Sequence, residues 1–432
     1  MKKGTRQYKL VLRRSALVAM TLMLSDFGYS QEKTTVPNGT DGLTLTIPAD
    51  DSLKKLPANE FNGRYSTLKV GVGYVLDYAT YSGDDVFNRQ LDSAGVKQDA
   101  NFETRDFRIM FSGALKTKRT ITWKFAYMYD GENKAWLIRE TGVIIGVPEL
   151  SGHLFIGRTK EGFSMEKVMN GHSIFAQERP MALDVIPILA DGIKWFGYLP
   201  KPRVFWNLGV YNDFISKGHG FSTYSWQGSA RVGWLPLYHK EKNEVIHLGA
   251  NLRYGQPLDG QIAVKSRPES NPLPLVINTG KFNADYSTHL GGEAFYSNGS
   301  FLVGSEVVMH SFHGDNSENH NFFGGSAMVS YLFTGGKRPY NTVGSIFGFV
   351  KVNKSVFKGG WGEWEAVLRI SSLDLNDGPI QGGKFLRLTP MVNWYMSRIL
   401  RMEFVYGYGI LERYNMEGTV NMFQTRLQLT IL

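Results

Sequence analysis

Cysteine is missing altogether from the 432 residues, so disulfide staples are excluded and a folded, exported chain of this length must be stabilised by other means. Beyond residue 30 there is no apolar run of 18 residues, which excludes membrane-spanning helices. No run of basic residues marks a nucleic-acid surface. The motifs G-x-S-x-G, H-E-x-x-H and the P-loop are also absent. No nucleophile and base are nominated, so neither catalysis nor a cofactor is expected.

Net charge is small once the N-terminus is set aside. Residues 1–30 begin with Lys2, Lys3, Arg6, Lys9, Arg13 and Arg14, continue as the apolar stretch 16–24, and end in Ser25-Asp26-Phe27-Gly28-Tyr29-Ser30. That order predicts a cleaved secretory signal; the apolar part is far short of the roughly 20 residues an anchor needs. Six of the 48 Lys and Arg and one of the 39 Asp and Glu lie in this leader, so the net charge falls from +9 to +4 for the remainder.

What is plentiful is aromatic residues (13%) and glycine (48) in a chain that is polar on average. Residues 31–63 are turn-rich (Pro37, Asn38-Gly39, Asp41-Gly42, Pro48, Pro57) and predict a flexible segment. From residue 64 to 432, stretches of 10 to 13 residues alternate apolar and polar with period two, the signature of half-buried strands. In 119–130, Ile121, Trp123, Phe125, Tyr127 and Tyr129 oppose Thr120, Thr122 and Lys124. In 361–373, Trp364, Ala366, Leu368 and Ile370 oppose Glu363, Glu365, Arg369 and Ser371.

A soluble, secreted glycan-binding sandwich would alternate too. Two features favour an all-β transmembrane antiparallel barrel. Charged residues recur mid-strand opposite bulky apolar ones, and aromatics crowd strand ends (Tyr78, Tyr81, Tyr129, Trp136, Tyr211, Phe214, Trp361, Trp394, Tyr395), as interfacial girdles require. Sixteen strands are expected, near 67–79, 101–114, 119–130, 136–146, 151–160, 191–199, 203–214, 226–236, 245–255, 284–297, 300–312, 322–334, 361–373, 383–396, 399–411 and 420–432. Connections then mostly alternate long and short, with 374–382 counted among the long ones. An apolar stretch at 343–354 breaks that parity and is assigned to an extended turn. Sixteen strands enclose an aqueous interior. The third loop, 161–190, holds a helix-like stretch at 164–169 and an apolar end; so much apolar surface does not stay in solvent, so the loop is expected to fold either over the barrel rim or, the favoured reading, inside the bore, narrowing it.

These residues resemble the phosphate-selective porin O and P family. The likeness runs through Gly73-Tyr74-Val75-Leu76-Asp77-Tyr78, then Phe102-Glu103-Thr104-Arg105-Asp106-Phe107-Arg108, then Leu154 to Glu166 followed by Glu178-Arg179. It continues in Val329 to Tyr340, Trp364 to Gly378 and Val392-Asn393-Trp394-Tyr395. A proline common before the loop phenylalanine is Gly162 here. The resemblance implies a sixteen-stranded outer-membrane barrel, trimeric, seated in outer-membrane lipid and passing small anionic or hydrophilic solutes by diffusion.

Alternation places Lys124, Arg231, Arg253, Arg369, Arg387, Arg401 and Arg426 toward the bore as pore-lining, anion-binding candidates, because a guanidinium offers a permanently charged fork that matches oxyanions. Glu293, Glu306, Glu363, Glu365 and Glu403 share that face, so anion preference and a general pore both stay open. Lys160, Glu166, Lys167, Glu178 and Arg179 are the constriction candidates on the third loop. A barrel that the loop closes, binding rather than conducting, is the rival reading. Asp374 to Gly378 starts like a calcium loop, but Phe385 occupies the position of its last ligand. His310, His313 and His320 match no metal spacing and are read as a solvated loop.

Overall fold

A computed structural model of the chain describes residues 58–93, 101–131, 134–215, 217, 223–314 and 318–432. The leader at 1–30, and the flexible segment as far as residue 57, lie outside the described residues. The last part of that segment is a strand: Glu60–Asn62 pairs antiparallel with Thr67–Lys69, and Lys69 Nζ stands 2.6 Å from Glu60.

Sixteen antiparallel strands follow, each hydrogen-bonded to its sequence neighbour. They are β1 Thr67–Gly83, β2 Asn101–Ala114, β3 Ile121–Asp130, β4 in two pieces (Ala135–Ile138 and Thr141–Val147), β5 Gly152–Thr159, β6 Ala190–Leu199, β7 Val204–Asn212 and β8 Tyr224–His239. Then come β9 Glu244–Pro257, β10 Tyr286–Asn298, β11 Phe301–His313, β12 Asn319–Leu332, β13 Glu363–Asp377, β14 Ile380–Tyr395, β15 Leu400–Arg413 and β16 Met416–Ile431. β16 returns to β1, from Ile431 opposite Val72 to Val420 opposite Gly83. Closure removes the open edges, whose unpaired N–H and C=O groups hydrocarbon cannot satisfy.

Strand geometry sends successive side chains to opposite faces. Leu248, Leu252, Leu290, Val307, Ile370 and Phe404 face outward and exposed, while Arg253, His289, Glu306, Arg369 and Glu403 on the same strands face inward and buried. The 374–382 connection is not a long loop: β13 and β14 extend until only Gly378 and Pro379 join them. Three of the expected girdle aromatics point inward instead. Tyr81 packs in an interior apolar cluster, Tyr211 Oη lies 3.5 Å from Ser229 Oγ, and Tyr395 donates to Glu365 at 2.7 Å.

The bore is largely occupied, by segments from both ends. The loop 160–189 between β5 and β6 runs inside, with Phe163, Met165, Lys167 and Met169 shut off from solvent. The β9–β10 connection, expected as a plain loop, forms a hairpin, Gln261–Ser266 with Ile277–Asn283. Together with helix α1 (Asp85–Ser93) and the turn Met181–Val185, it packs on wall residues such as Phe312, Phe322, Leu373 and Phe385. From the short-turn end, the 333–362 connection between β12 and β13 also enters. It is no barrel strand; Tyr340–Asn341 pairs with Ile346–Phe347, and Phe347 meets Phe175 of the loop at 5.8 Å between ring centroids.

Candidate functional site

The wall arginines and the in-folded segments are complementary, carboxylate or carbonyl to guanidinium. Arg253 Nε donates to Glu161 at 2.6 Å, and Arg231 pairs with Glu293 at 2.8 Å while reaching Ser345 O at 2.8 Å. Arg369 binds Glu269 and donates to Glu178 O at 2.9 Å. Arg387 reaches Gln424 at 2.5 Å and Pro268 O. Arg401 pairs with Glu403 at 3.1 Å and extends to Ile174 O. Arg426 holds Asp77 at 2.6 Å, Glu178 at 2.5 Å and Gln177 O. All six arginines of the expected ring thus face the bore, and all six are buried and engaged. Buried pairs of this kind cost much to break from one side, because the remaining charge stays desolvated.

Glu306 anchors the loop directly. Its carboxylate accepts from Ser164 Oγ at 2.9 Å, from Met165 N at 2.6 Å and from Glu166 N at 3.3 Å. It caps the short helix α2 (Met165–Val168) from the opposite wall, where the unpaired N–H groups of a helix start favour an anion. At the other end of α2, Lys160 Nζ donates to Met169 O at 2.7 Å, and Arg179 donates to Glu166 O and Met169 O at 2.7 and 2.8 Å. Glu166 lies 3.8 Å from Arg369, and Lys167 Nζ 3.9 Å from Glu161. His172 presses on β1, where Gly73 gives it room: a Cβ there would lie 2.5 Å from the imidazole.

Burial shifts these loop groups. It pushes the Glu166 carboxyl up to about 7, with Arg369 opposing and Glu269 adding. It brings Lys167 down to about 7, its attraction to Glu161 being too weak to offset desolvation. His172 is lowered to about 4, by burial and then by the Arg108 guanidinium. For Glu178, burial opposes ionisation, but Arg105 and Arg426 overcome it and hold the group below the usual carboxylate range.

One sector of the interior keeps its cations open to water. Arg105 and Arg108 on β2 retain 24% and 14% side-chain exposure, and Arg139, between the two pieces of β4, is half-buried. Arg108 pairs with Asp106 at 2.5 Å and Arg105 with Glu178 at 2.9 Å. Arg179 of the loop is half-buried beside Arg108, their guanidinium nitrogens 4.0 and 3.5 Å from one point above Gly171. Lys124 faces the same space from β3, its Nζ 3.7 Å from Glu140.

Arg105, Arg108, Arg139 and Glu140 were not among the expected site residues. Parity hides them, since Arg105 and Arg108 are three apart and cannot share a face of a regular strand. A bulge supplies the missing step: Asp106 pairs with Val75 and Thr104 with Leu76, leaving Arg105 extra. Of the three histidines read as solvated, His310 is buried on β11 with its Nδ1 2.8 Å from that of His289. His313 contacts Asn319 at 3.1 Å, and His320 lies 3.6 Å from Asp377.

Comparison with known proteins agrees with this architecture. The family model described as phosphate-selective porin O and P matches residues 77–431. A protein of Caulobacter vibrioides is 28% identical over 166 residues, 38% of this chain and 33% of that relative, so the match spans about a third of the relative's length. Among solved structures, the anion-selective porin from Comamonas acidovorans is similar with TM-score 0.55 at 10% identity, covering 85% of this chain and 100% of the other. The outer-membrane channel DcaP of Acinetobacter baumannii gives 0.56 at 8% identity, covering 86% and 99%. OmpT of Vibrio cholerae, in its trimer form, gives 0.52 at 12% identity over 85% and 100%. At such identities these structures share the fold.

Proposed function

This chain belongs to the phosphate-selective porin O and P family of outer-membrane barrels, and from that premise we propose that it is a passive porin for small hydrophilic solutes, preferring anions of the phosphate type. The observation that carries this reading is the half-open basic sector formed by Arg105, Arg108, Arg139, Arg179 and Lys124. In a narrow bore with low-dielectric walls, a line of permanent positive charge lowers the barrier for anions and raises it for cations. Arg231, Arg253, Arg369, Arg387, Arg401 and Arg426 act as braces holding the in-folded segments, and the solute runs along β2 to β4. Lys160, Glu166, Lys167, Glu178 and Arg179 shape the inner wall of that passage. Neither a cofactor nor a catalytic step belongs to this function.

Reversal potentials of the refolded protein in planar bilayers under a salt gradient test it. An anion-preferring channel is expected. Arg108→Gln or Arg139→Gln should lower the anion-to-cation permeability ratio by about twofold or more, since each removes one fixed charge from the passage. Arg231→Gln should destabilise the protein while leaving that ratio near its starting value. No channel in folded protein, or cation preference, contradicts the reading.

The loop burial supports a second reading, a barrel closed by segment 160–189 that binds without conducting. In that case shortening the loop creates conductance where the full chain shows none. The assembly we infer is a homotrimer in outer-membrane lipid; light scattering of the detergent-solubilised protein distinguishes it from a monomer.

A further inference from the structure

The outer face of β12 to β15 carries a groove toward the short-turn end. Tyr331, Ala366, Val392 and Phe404 stand side by side across the four strands. Ala366 and Pro390 rise little above the sheet, so the wall dips between Tyr331 on one side and Phe404 and Tyr406 on the other. The dip encloses 560 Å³ and is lined almost wholly by apolar atoms. Pro390 brings no N–H to the sheet, and the β14–β15 ladder is interrupted there, between Leu388 opposite Tyr408 and Met391 opposite Val405.

The next outward row toward the short-turn end is the stacked pair Trp364 and Trp394, with ring centroids 5.0 Å apart. Both indoles donate from Nε1 to Trp361 O, at 3.1 and 3.0 Å. They fix the end of the 333–362 insert against the wall. Val356 N donates to Met396 O at 2.9 Å, which holds the turn Val356–Lys358 beside the β14–β15 connection. This anchored strip presents Phe357 and Trp361, 70% and 82% exposed, together with the exposed cations Lys354 and Lys358. Arg398, in the β14–β15 connection, is exposed as well. Residues 338–362 contain no acid. Glu363, next in the chain, is buried and accepts from Asn353 N at 2.9 Å.

Large aromatic side chains held at a barrel rim belong to the membrane interface, where lipid covers the ring. Cations beside them lie at the level of lipid phosphates. An apolar trough that ends at a basic, aromatic foot matches a single molecule with both parts, an acyl chain and an anionic headgroup. The outward band of a second barrel is apolar and would leave the three cations without counter-charge. We propose that the outer face of β13 and β14, with strip 354–362, binds one anionic glycerophospholipid of the periplasmic leaflet. An acyl chain fills the groove, and the headgroup phosphate meets Lys354, Lys358 and Arg398. The site lies outside the bore and requires no conduction, so it stands or falls apart from the porin reading.

Native mass spectrometry of the refolded full chain tests the site, with detergent micelles containing equal amounts of dioleoyl phosphatidylglycerol and dioleoyl phosphatidylethanolamine. One retained phosphatidylglycerol is expected, favoured about fivefold or more, since each cation near an anionic headgroup contributes a factor of that order. Lys354→Gln combined with Lys358→Gln should bring the two lipids near parity while one lipid is still retained. Ala366→Trp, which fills the groove, should lose both. Heat-modifiable mobility on gels verifies folding; if Ala366→Trp does not fold, Val392→Trp takes its place with the same expectation. Equal retention of the two lipids by the unaltered protein overturns the proposal. So does a preference that survives loss of the lysines, or retention that survives the tryptophan. An oligomer that dissociates in folded Ala366→Trp with lipid retention unchanged assigns the groove to a second copy of the chain and overturns it too.

Discussion

Lys167 and Glu166, adjacent on α2, illustrate what an in-folded loop does to ionisable side chains. The raised carboxyl of Glu166 favours the folded loop when protonated, so its contribution is whole below the ordinary carboxyl range and is lost as pH rises through about 7. Lys167, lowered from 10.5 to about 7, works the opposite way: its contribution is whole above 10.5 and declines as pH falls toward 7. Protection of the loop from protease should therefore rise between pH 7.5 and 10, and in Lys167→Met that rise should vanish; a rise of equal size in the variant refutes the assignment. Sequence parity was enough to turn Arg231, Arg253, Arg369, Arg387, Arg401 and Arg426 toward the bore. It could not say what they meet from the in-folded segments, because Glu161, Pro268, Glu269 and Ser345 sit in stretches without periodicity. Arg139 and Glu140 escaped notice because two charged residues in succession on a strand violate alternation. That violation is itself a usable signal of a break.

At the scale of elements, strands were legible and inserts were not. A strand between lipid and a polar interior must alternate with period two, and sixteen such stretches were found within a few residues of their ends. Rejecting 343–354 as a strand was justified by parity, since a barrel closed by antiparallel pairing needs an even count. Nothing in 256–282 forecast its hairpin, whose apolar face gains meaning only against Leu373 and Phe385 across the bore. Glu306 holds the in-folded loop at three successive residues. Glu306→Ala leaves Ser164 Oγ and the amides of Met165 and Glu166 without their acceptor, at about 1–3 kcal/mol for each buried donor left unmet. The barrel itself is spared, so heat-modifiable mobility on gels should persist while protease cuts the loop faster and single-channel current grows noisier. Glu306→Gln, which keeps an acceptor oxygen, should lie between. Equal protease resistance in all three proteins argues against the cap.

Taken whole, the molecule is a closed wall with its interior divided unequally. Most of the cross-section is filled by the loop, the hairpin and the short-turn insert, fixed by paired charges and two apolar clusters. The partly exposed cations Arg105, Arg108 and Arg139 stand on β2 and between the two pieces of β4, and it is there that we place the passage. The chain contains no cysteine, so a single introduced thiol reports on its own position without background. Ala126 faces the bore on β3 opposite Met110 and is half-buried, whereas Ser371 faces it on β13 and is 2% exposed. The most direct measurement is the reaction of each thiol, in folded membrane-inserted protein, with a water-soluble anionic thiosulfonate while conductance is recorded. The account predicts that Ala126→Cys is modified rapidly and its current falls, while Ser371→Cys reacts slowly and its current holds. The reverse order, or an unreactive Ala126→Cys in an open channel, would contradict it.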